Sequence, residues 1–378
     1  MNLIPSDPQP SEKTPAIENV YISSQDAQRE VRDPLDRRKV IVRRSWTGLR
    51  WIVCLLIIWL VGQRAIKLWQ QDDLQNWDFQ FGWLILAACT NVLGWCPAVV
   101  VWQRMLASSG THVAFFFCAR AYFAGHLGKY VPGKAAVLAV RAAMLKPAGV
   151  NLWVGMITTT LETLGTMSVG LLLPLALVLS GAVRGPAMLE NLLGRDAEPN
   201  LSAEMPDADP LTWRFSVALL VIFLIVPTIG SASSGFLIKL LRTLKPSLNF
   251  HGKRWSIPWS SWLLLSVGWG IHGVSYGLTL KGVTGGPITW HEWPLWTAAV
   301  SWATAGAFFV FLVPGGLGIR EGLLIEFLRG QSVITSRVAV VSALILRLVW
   351  LLAEFTTAAV LYVFVRYSPP GQTQQSAE

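Results

Sequence analysis

Long apolar runs separated by short polar segments dominate this chain. The clearest runs are Trp51–Gly62, Leu84–Val101, Val217–Gly230 and Val338–Val365. A helix of about 20 apolar residues crosses the hydrocarbon core of a bilayer. A backbone in lipid must satisfy its own hydrogen bonds, which favours helices over open sheets. The pattern therefore predicts an all-α, polytopic membrane helical bundle.

Two of the apolar stretches are interrupted by the same Val-Pro-Gly turn, around Pro132 and Pro314, 182 residues apart. The same offset places the apolar run 152–183 on 334–365. Paired segments interrupted by Pro and Gly at matching positions point to the binding site of a transporter built from repeats. We therefore expect a duplicated unit with a broken hairpin in each copy.

The charges predict how these segments cross the membrane. The basic N-terminal flank and the basic loop 233–258 belong in the cytoplasm, and the acidic loop 184–210 belongs outside. This holds only if segment 113–147 enters and leaves on the cytoplasmic face as a re-entrant hairpin. Segment 293–330 then forms a second hairpin that opens to the outside. Each unit contains three spans plus one hairpin, and this odd number of spans makes the two repeats inverted.

The domain boundaries follow from the same pattern. Residues 1–45 are polar and contain prolines, which is typical of a disordered cytoplasmic tail. Residues 46–366 form the membrane domain, with repeat one at 46–183 and repeat two at 211–366. Residues 367–378 form a cytoplasmic C-terminal tail.

Composition narrows the class of function. The chain has 53% hydrophobic residues, 14% charged residues and a net charge of +9. Since the excess charge flanks membrane spans, it indicates topology and contact with anionic lipids, not nucleic-acid binding. The four cysteines fall in apolar runs without metal-ligand spacing. We expect no metal, no other cofactor and no soluble catalytic domain, and hence no enzyme activity.

The two breaks carry the candidate chemistry. Pro132 and Gly133 in the first hairpin, and Pro314, Gly315, Gly316 and Gly318 in the second, break the helices and structure or gate the hairpins. The returning half-helices then point their N-termini at the membrane interior, and a helix N-terminus attracts anions. The positive charges that we expect to bind a phosphate there are Lys134, Arg141 and Arg320.

Further ionisable residues lie inside the predicted spans. Glu162 lies in the third span and Arg347 in the last, and such residues generally face a cavity or each other. We expect both to face the central cavity, paired either with each other or within a structural ion pair. Arg347 would also contact the lipid headgroup. Glu321, next to Arg320, makes the predicted site a mixed network of charges.

The two motifs resemble a known family. Lys129-Tyr130-Val131-Pro132-Gly133-Lys134 and Val313-Pro314-Gly315-Gly316-Leu317-Gly318-Ile319-Arg320-Glu321-Gly322 resemble the flippase-like family named after the transmembrane region of lysylphosphatidylglycerol synthase. Many members of that family continue their first motif as Pro-Gly-Arg-x-Gly-Glu, whereas here Lys134, Ala135, Ala136 and Val137 stand instead. The chain resembles only the membrane part of those members that also carry a soluble aminoacyl-transferase domain. This resemblance implies lipid translocation without lipid synthesis.

We therefore expect a multi-pass protein of the bacterial cytoplasmic membrane, with both termini in the cytoplasm. Its partners would be membrane lipids, anionic or bearing a phosphate, and it would move a phospholipid or a lipid-linked headgroup between leaflets. The alternative is a membrane partner that presents a lipid acceptor to a separately encoded glycosyl- or aminoacyl-transferase. A structural membrane scaffold is a third class.

Overall fold

The computed structural model describes residues 79–130, 135–186, 259–309, 316, 318–329, 331 and 334–365. Within these residues the protein is all-helical. The N-terminal half contains α1 (Phe81–Ser108), α2 (Phe115–His126), α3 (Ala135–Met144) and α4 (Leu152–Leu179). The C-terminal half contains α5 (Trp259–Thr284), α6 (Trp293–Phe309), α7 (Ile319–Arg329) and α8 (Ser336–Phe364). Short 3₁₀ helices occupy Leu127–Tyr130, Lys146–Ala148 and Trp290–Glu292.

Four of these helices, α1, α4, α5 and α8, are long and apolar enough to cross a membrane. They contain 26 to 29 residues each, or about 40 Å at 1.5 Å per residue. They coincide with four of the predicted spans, so these helices are confirmed, and the fold is compatible with an integral membrane protein. The predicted spans that contain Trp51–Gly62 and Val217–Gly230 lie outside the described residues.

The long helices α1 and α5 pack against each other in opposite directions. The contacts along their interface are Gln80 N–H to Gly282 O at 2.9 Å, Ser275 Oγ–H to Ala87 O at 2.7 Å, and Arg104 Nη1–H to Ser260 Oγ at 3.2 Å. As the residue number rises along α1, it falls along α5. The first long helices of the two halves are therefore antiparallel.

The short helices α2 and α3 form a pair that reaches only half the length of α1. The pair ends level with the middle of α1, where the rings of Trp95 and His126 lie 4.5 Å apart. Helix α3 then returns, so that the guanidinium carbon of Arg141 lies 5.4 Å from the ring centre of Trp102, nearer the C-terminal end of α1. Both ends of this helix pair therefore lie at the same end of the bundle.

The short helices α6 and α7 form a second pair, which opens at the other end of the bundle. The start of α7 lies beside the middle of α8, because Arg320 stacks on the ring of Trp350 at 4.1 Å. Beyond the end of α7, the Gln331 side chain donates a hydrogen bond to Arg184 O at 2.8 Å, just after α4. The first pair instead adjoins the beginning of α4.

The helix contacts repeat between the two halves. Within the halves, α1–α2, α2–α3, α3–α4 and α1–α4 correspond to α5–α6, α6–α7, α7–α8 and α5–α8. Between the halves, α2–α8 corresponds to α6–α4 and α1–α8 to α5–α4, while α1–α5 corresponds to itself. Exchanging the halves therefore leaves this set of contacts unchanged.

Candidate functional site

A cavity of about 420 Å³ lies between the two helix pairs. Helices from both halves line it, and its volume falls in the range of small-molecule sites. Its apolar wall includes Val137, Leu138, Met167 and Phe308. Leu164 on α4 and Phe309 on α6 also line the cavity and are 44% and 45% exposed. The cavity therefore opens to the outside of the bundle beside apolar side chains.

Charged residues occupy the inner wall of the cavity. Among the described residues, the cations that line it are Lys129, Arg141, Arg320 and Arg347, and the carboxylate that lines it is Glu162. Two further carboxylates, Glu321 and Glu354, bind the cations from behind. Four cations therefore meet three carboxylates in the described part of the site, an excess of one positive charge that suits a ligand with one negative charge.

Glu162 on α4 is held by four donors. Its oxygens accept hydrogen bonds from Arg141 Nη1 at 2.7 Å, Tyr122 Oη at 3.2 Å, Thr166 Oγ1 at 3.0 Å and Thr163 Oγ1 at 3.3 Å. Arg141 also lies over the ring of Tyr122 at 3.6 Å. Both charged side chains are 2% exposed or less. This cluster locks α3 and α2 to α4.

A second ion pair connects α7 and α8. Arg347 donates a hydrogen bond to Glu321 Oε1, and the two side chains are 14% and 5% exposed. Glu321 Oε2 also accepts the Gly318 N–H at 2.7 Å. This contact caps α7, because the carboxylate of the third helical residue accepts a hydrogen bond from the N–H of the residue just before the helix. Gly316 and Gly318 have φ of 63° and 77°, which favours glycine at both positions.

A third cluster joins the two halves. Lys129, in the 3₁₀ helix that follows α2, contacts Glu354 on α8 with N–O distances of 2.7 and 2.8 Å. His126 Nε2 lies 3.5 Å from the same carboxylate. Glu354 is fully buried, whereas Lys129 and His126 line the cavity. This cluster places a charged contact beside the first helix break.

The structure locates part of the predicted site. Arg141, Arg320, Arg347, Glu162 and Gly316 line one cavity, so Glu162 and Arg347 do face it as expected. Gly318 and Glu321 lie at the start of α7, beside Arg347. The predicted residues Pro132, Gly133, Lys134, Pro314 and Gly315 lie outside the described residues.

One alternative of the prediction is wrong. Glu162 and Arg347 are not paired with each other, because Glu162 binds Arg141 and Arg347 binds Glu321. At the start of α7, Glu321 accepts the N–H of Gly318, the residue before the helix.

Sequence reasoning missed the aromatic and cross-half parts of the site. Trp95, Tyr122 and Trp350 line the cavity among its charges, and the Trp95 indole N–H is buried with no acceptor in the described part of the chain. Glu354 is an ionisable residue within the last predicted span, which was the signal available, but its partner Lys129 is 225 residues away.

The comparisons with known proteins give no relative on which to base an identification. No protein-family model and no curated protein sequence matches the chain. The class of protein that the fold and the site define is therefore a helical protein with four helices that can cross a membrane and a charged cavity between two pairs of short helices.

Proposed function

We propose that the protein is an integral membrane protein that moves an amphiphile with an anionic headgroup, such as a phospholipid or a lipid-linked phosphate, between leaflets. The observation that carries this proposal is the cavity itself. Its inner wall holds four cations, and its opening is bordered by the half-exposed apolar residues Leu164 and Phe309. A headgroup would lie inside among the charges while its acyl chains remain in lipid.

The donors around the cavity favour a ligand rich in acceptor oxygens. Arg and Trp side chains donate hydrogen bonds and accept none. Among the cations of the cavity wall, Lys129 and Arg347 have side chains that are 26% and 14% exposed, so a ligand in the cavity can reach them. Phosphate oxygens would supply acceptors with charge assistance, which strengthens such contacts about twofold over neutral ones. Phosphate is therefore the headgroup chemistry that we propose.

The arrangement of the helices supports two inverted repeats as part of this proposal. The equivalent helices α1 and α5 are antiparallel, and the two short helix pairs open at opposite ends of the bundle. With 10 to 17 residues, the short helices are about 15–26 Å long, less than the roughly 30 Å hydrocarbon core. Two re-entrant hairpins around a shared cavity fit these lengths. The sequence motifs of the two predicted hairpins resemble those of the flippase-like family.

Reconstitution tests the proposal directly. The full chain is placed in vesicles that contain fluorescent phosphatidylglycerol, or fluorescent phosphatidylcholine as the zwitterionic comparison, and an impermeant quencher reports the lipid that crosses. We expect faster crossing of phosphatidylglycerol than in protein-free vesicles, and a smaller effect for phosphatidylcholine. Equal rates with and without protein for every lipid would contradict translocation.

Two further arms separate the alternatives. Glycerophosphoglycerol, which has the headgroup without acyl chains, should not compete at concentrations where the lipid does; equal competition would assign the cavity to a soluble anion. Binding of phosphatidylglycerol without any crossing would favour the alternative, a lipid-presenting partner of a separate transferase. The location in a bacterial cytoplasmic membrane with cytoplasmic termini remains part of the proposal.

A further inference from the structure

The cluster that joins the two halves differs from the other ion pairs of the site. The pairs Arg141–Glu162 and Glu321–Arg347 each lie within one half. Lys129 and Glu354 instead connect the break of the first helix pair to the middle of α8. Any event that separates Lys129 from Glu354 therefore loosens a contact between the halves.

The two sides of this ion pair have different access. Lys129 lines the cavity with a side chain that is 26% exposed, so a ligand in the cavity can reach its ammonium group. The Glu354 side chain is 1% exposed and lies behind Lys129. An anion in the cavity and the Glu354 carboxylate therefore compete for the same cation.

This competition has a predictable consequence for protonation. If an anionic headgroup takes Lys129 as its counter-ion, Glu354 keeps a buried charge with less compensation, which is unfavourable. A proton on Glu354 removes that cost. His126 Nε2, 3.5 Å from the carboxylate and on the cavity wall, provides a neighbouring group that can pass the proton.

We propose that Glu354 is a proton-binding site and that one proton enters it when an anionic headgroup binds Lys129. This inference rests on the proposed function, since it assumes an anionic ligand in the cavity. Intramembrane carboxylates and histidines commonly mark proton relays. Because such coupling is reciprocal, protonation of Glu354 also favours binding of the headgroup. A proton gradient can then drive the movement of the lipid between leaflets.

The groups around Glu354 are consistent with this exchange. Besides His126 on α2 and Lys129 in the 3₁₀ helix, the described titratable and charged residues within electrostatic range of the cluster are Arg141 on α3, His272 on α5, Arg320 on α7 and Arg347 on α8. Arg347 binds Glu321 and Arg320 lies over Trp350. Both arginines also line the cavity, where they attract the incoming anion.

The test counts protons during ligand binding. The purified full chain in neutral detergent is titrated with dioctanoyl phosphatidylglycerol, whose charge is constant near neutral pH. Calorimetry in buffers with different ionisation enthalpies gives the number of protons exchanged. We expect uptake of roughly one proton for each lipid bound. The Glu354→Gln variant should still bind the lipid but take up no proton.

A matched control carboxylate lies on α7. Glu326 pairs with Arg329 at 3.5 Å on the surface, with side chains that are 53% and 41% exposed. Glu326→Gln should bind the lipid and take up the proton as the native protein does. If Glu354→Gln does not fold, Lys129→Gln serves instead. That variant removes one counter-ion of Glu354 and favours its protonated form before the lipid binds, so proton uptake on binding should fall.

The outcomes separate this inference from the proposed function. Lipid binding by the native protein without proton uptake overturns the inference alone. Unchanged uptake in Glu354→Gln or Lys129→Gln also overturns it, because the proton would then enter elsewhere. Absence of any phosphatidylglycerol binding by the native protein overturns the proposed function, and the inference with it.

Discussion

The two halves of the molecule place an arginine–glutamate pair at the same point, between the second short helix and the long helix that follows, but in opposite order. In the N-terminal half, Arg141 on α3 binds Glu162 on α4. In the C-terminal half, Glu321 on α7 binds Arg347 on α8. The first pair is almost completely buried, while the Arg347 side chain is 14% exposed at the cavity.

The difference in exposure indicates different roles for the two ion pairs, one in holding the helices together and one in binding the ligand. Glu162 accepts hydrogen bonds from four side chains, and Arg141 binds Glu162 and lies over the ring of Tyr122, so the contacts of this buried pair are made within the protein. Glu321 divides its two oxygens between Arg347 and the cap of α7, at the edge of the cavity. We infer that the N-terminal pair mainly fixes the helices, and that the cations of the C-terminal half, with Lys129, mainly meet the ligand.

The largest effect is expected from a substitution that breaks the N-terminal ion pair, Arg141–Glu162. Arg141→Met leaves Glu162 buried without its cation, and the loss of one partner of a buried pair costs about 3–5 kcal/mol. We expect a marked fall in the midpoint of thermal unfolding, measured in detergent by the fluorescence of the many tryptophans. This outcome differs from that of a residue that only binds ligand, whose loss leaves the fold intact.

A double variant gives the control for this prediction. Arg141→Met combined with Glu162→Gln removes both charges and keeps an acceptor for Tyr122 and Thr166, so it should recover part of the lost stability. If Arg141→Met unfolds at the same temperature as the native protein, the N-terminal pair is not a structural anchor and the contrast between the halves fails.

The next largest effect is expected at Arg320 and tests whether the cations of the C-terminal half bind the ligand. Arg320→Gln should weaken binding of phosphatidylglycerol tenfold or more, since a charge-assisted contact is worth about 1.5–3 kcal/mol. The matched control is Lys281→Gln, because Lys281 also lies over an aromatic ring, that of Trp83 at 4.5 Å, but outside the cavity lining. Equal loss of binding in both variants would show a general effect of charge instead of a site.

Sequence reasoning found the long helices because these depend on a local property, the apolar runs that define α1, α4, α5 and α8. Helices α2 and α3 are separate on either side of the predicted turn at Pro132, whereas Pro97 and Pro174 lie inside α1 and α4, so a proline alone does not predict a break. The ion pairs depend on which helix faces meet across the bundle. Glu162 is 21 residues from its partner Arg141, and Lys129 is 225 from Glu354, so neither spacing follows from a helical period.

A smaller effect on stability is expected at Glu321, which allows its carboxylate to be compared with that of Glu162. Glu321→Gln weakens the cap of α7 and its bond to Arg347, and loss of a helix cap costs about 0.5–2 kcal/mol. Removing this negative charge also makes Arg347 more available to an anion. We therefore expect lower thermal stability together with severalfold tighter binding of phosphatidylglycerol in a titration. Weaker binding would indicate that Glu321 itself contacts the ligand.

The smallest expected effect compares glycines in the two helix pairs. A Cβ at Gly322 on α7 meets nothing within 4 Å, so Gly322→Ala should stabilise the protein by about 0.5–1 kcal/mol through helix propensity. A Cβ at Gly128 would lie 3.0 Å from Val137 N and 3.1 Å from Ala136 C, in the backbone of α3, so Gly128→Ala should destabilise it. Thermal unfolding of the two variants should shift in opposite directions. If Gly128→Ala is neutral, the first helix pair tolerates separation at its break, and close packing of α3 is not what fixes Arg141 beside Glu162.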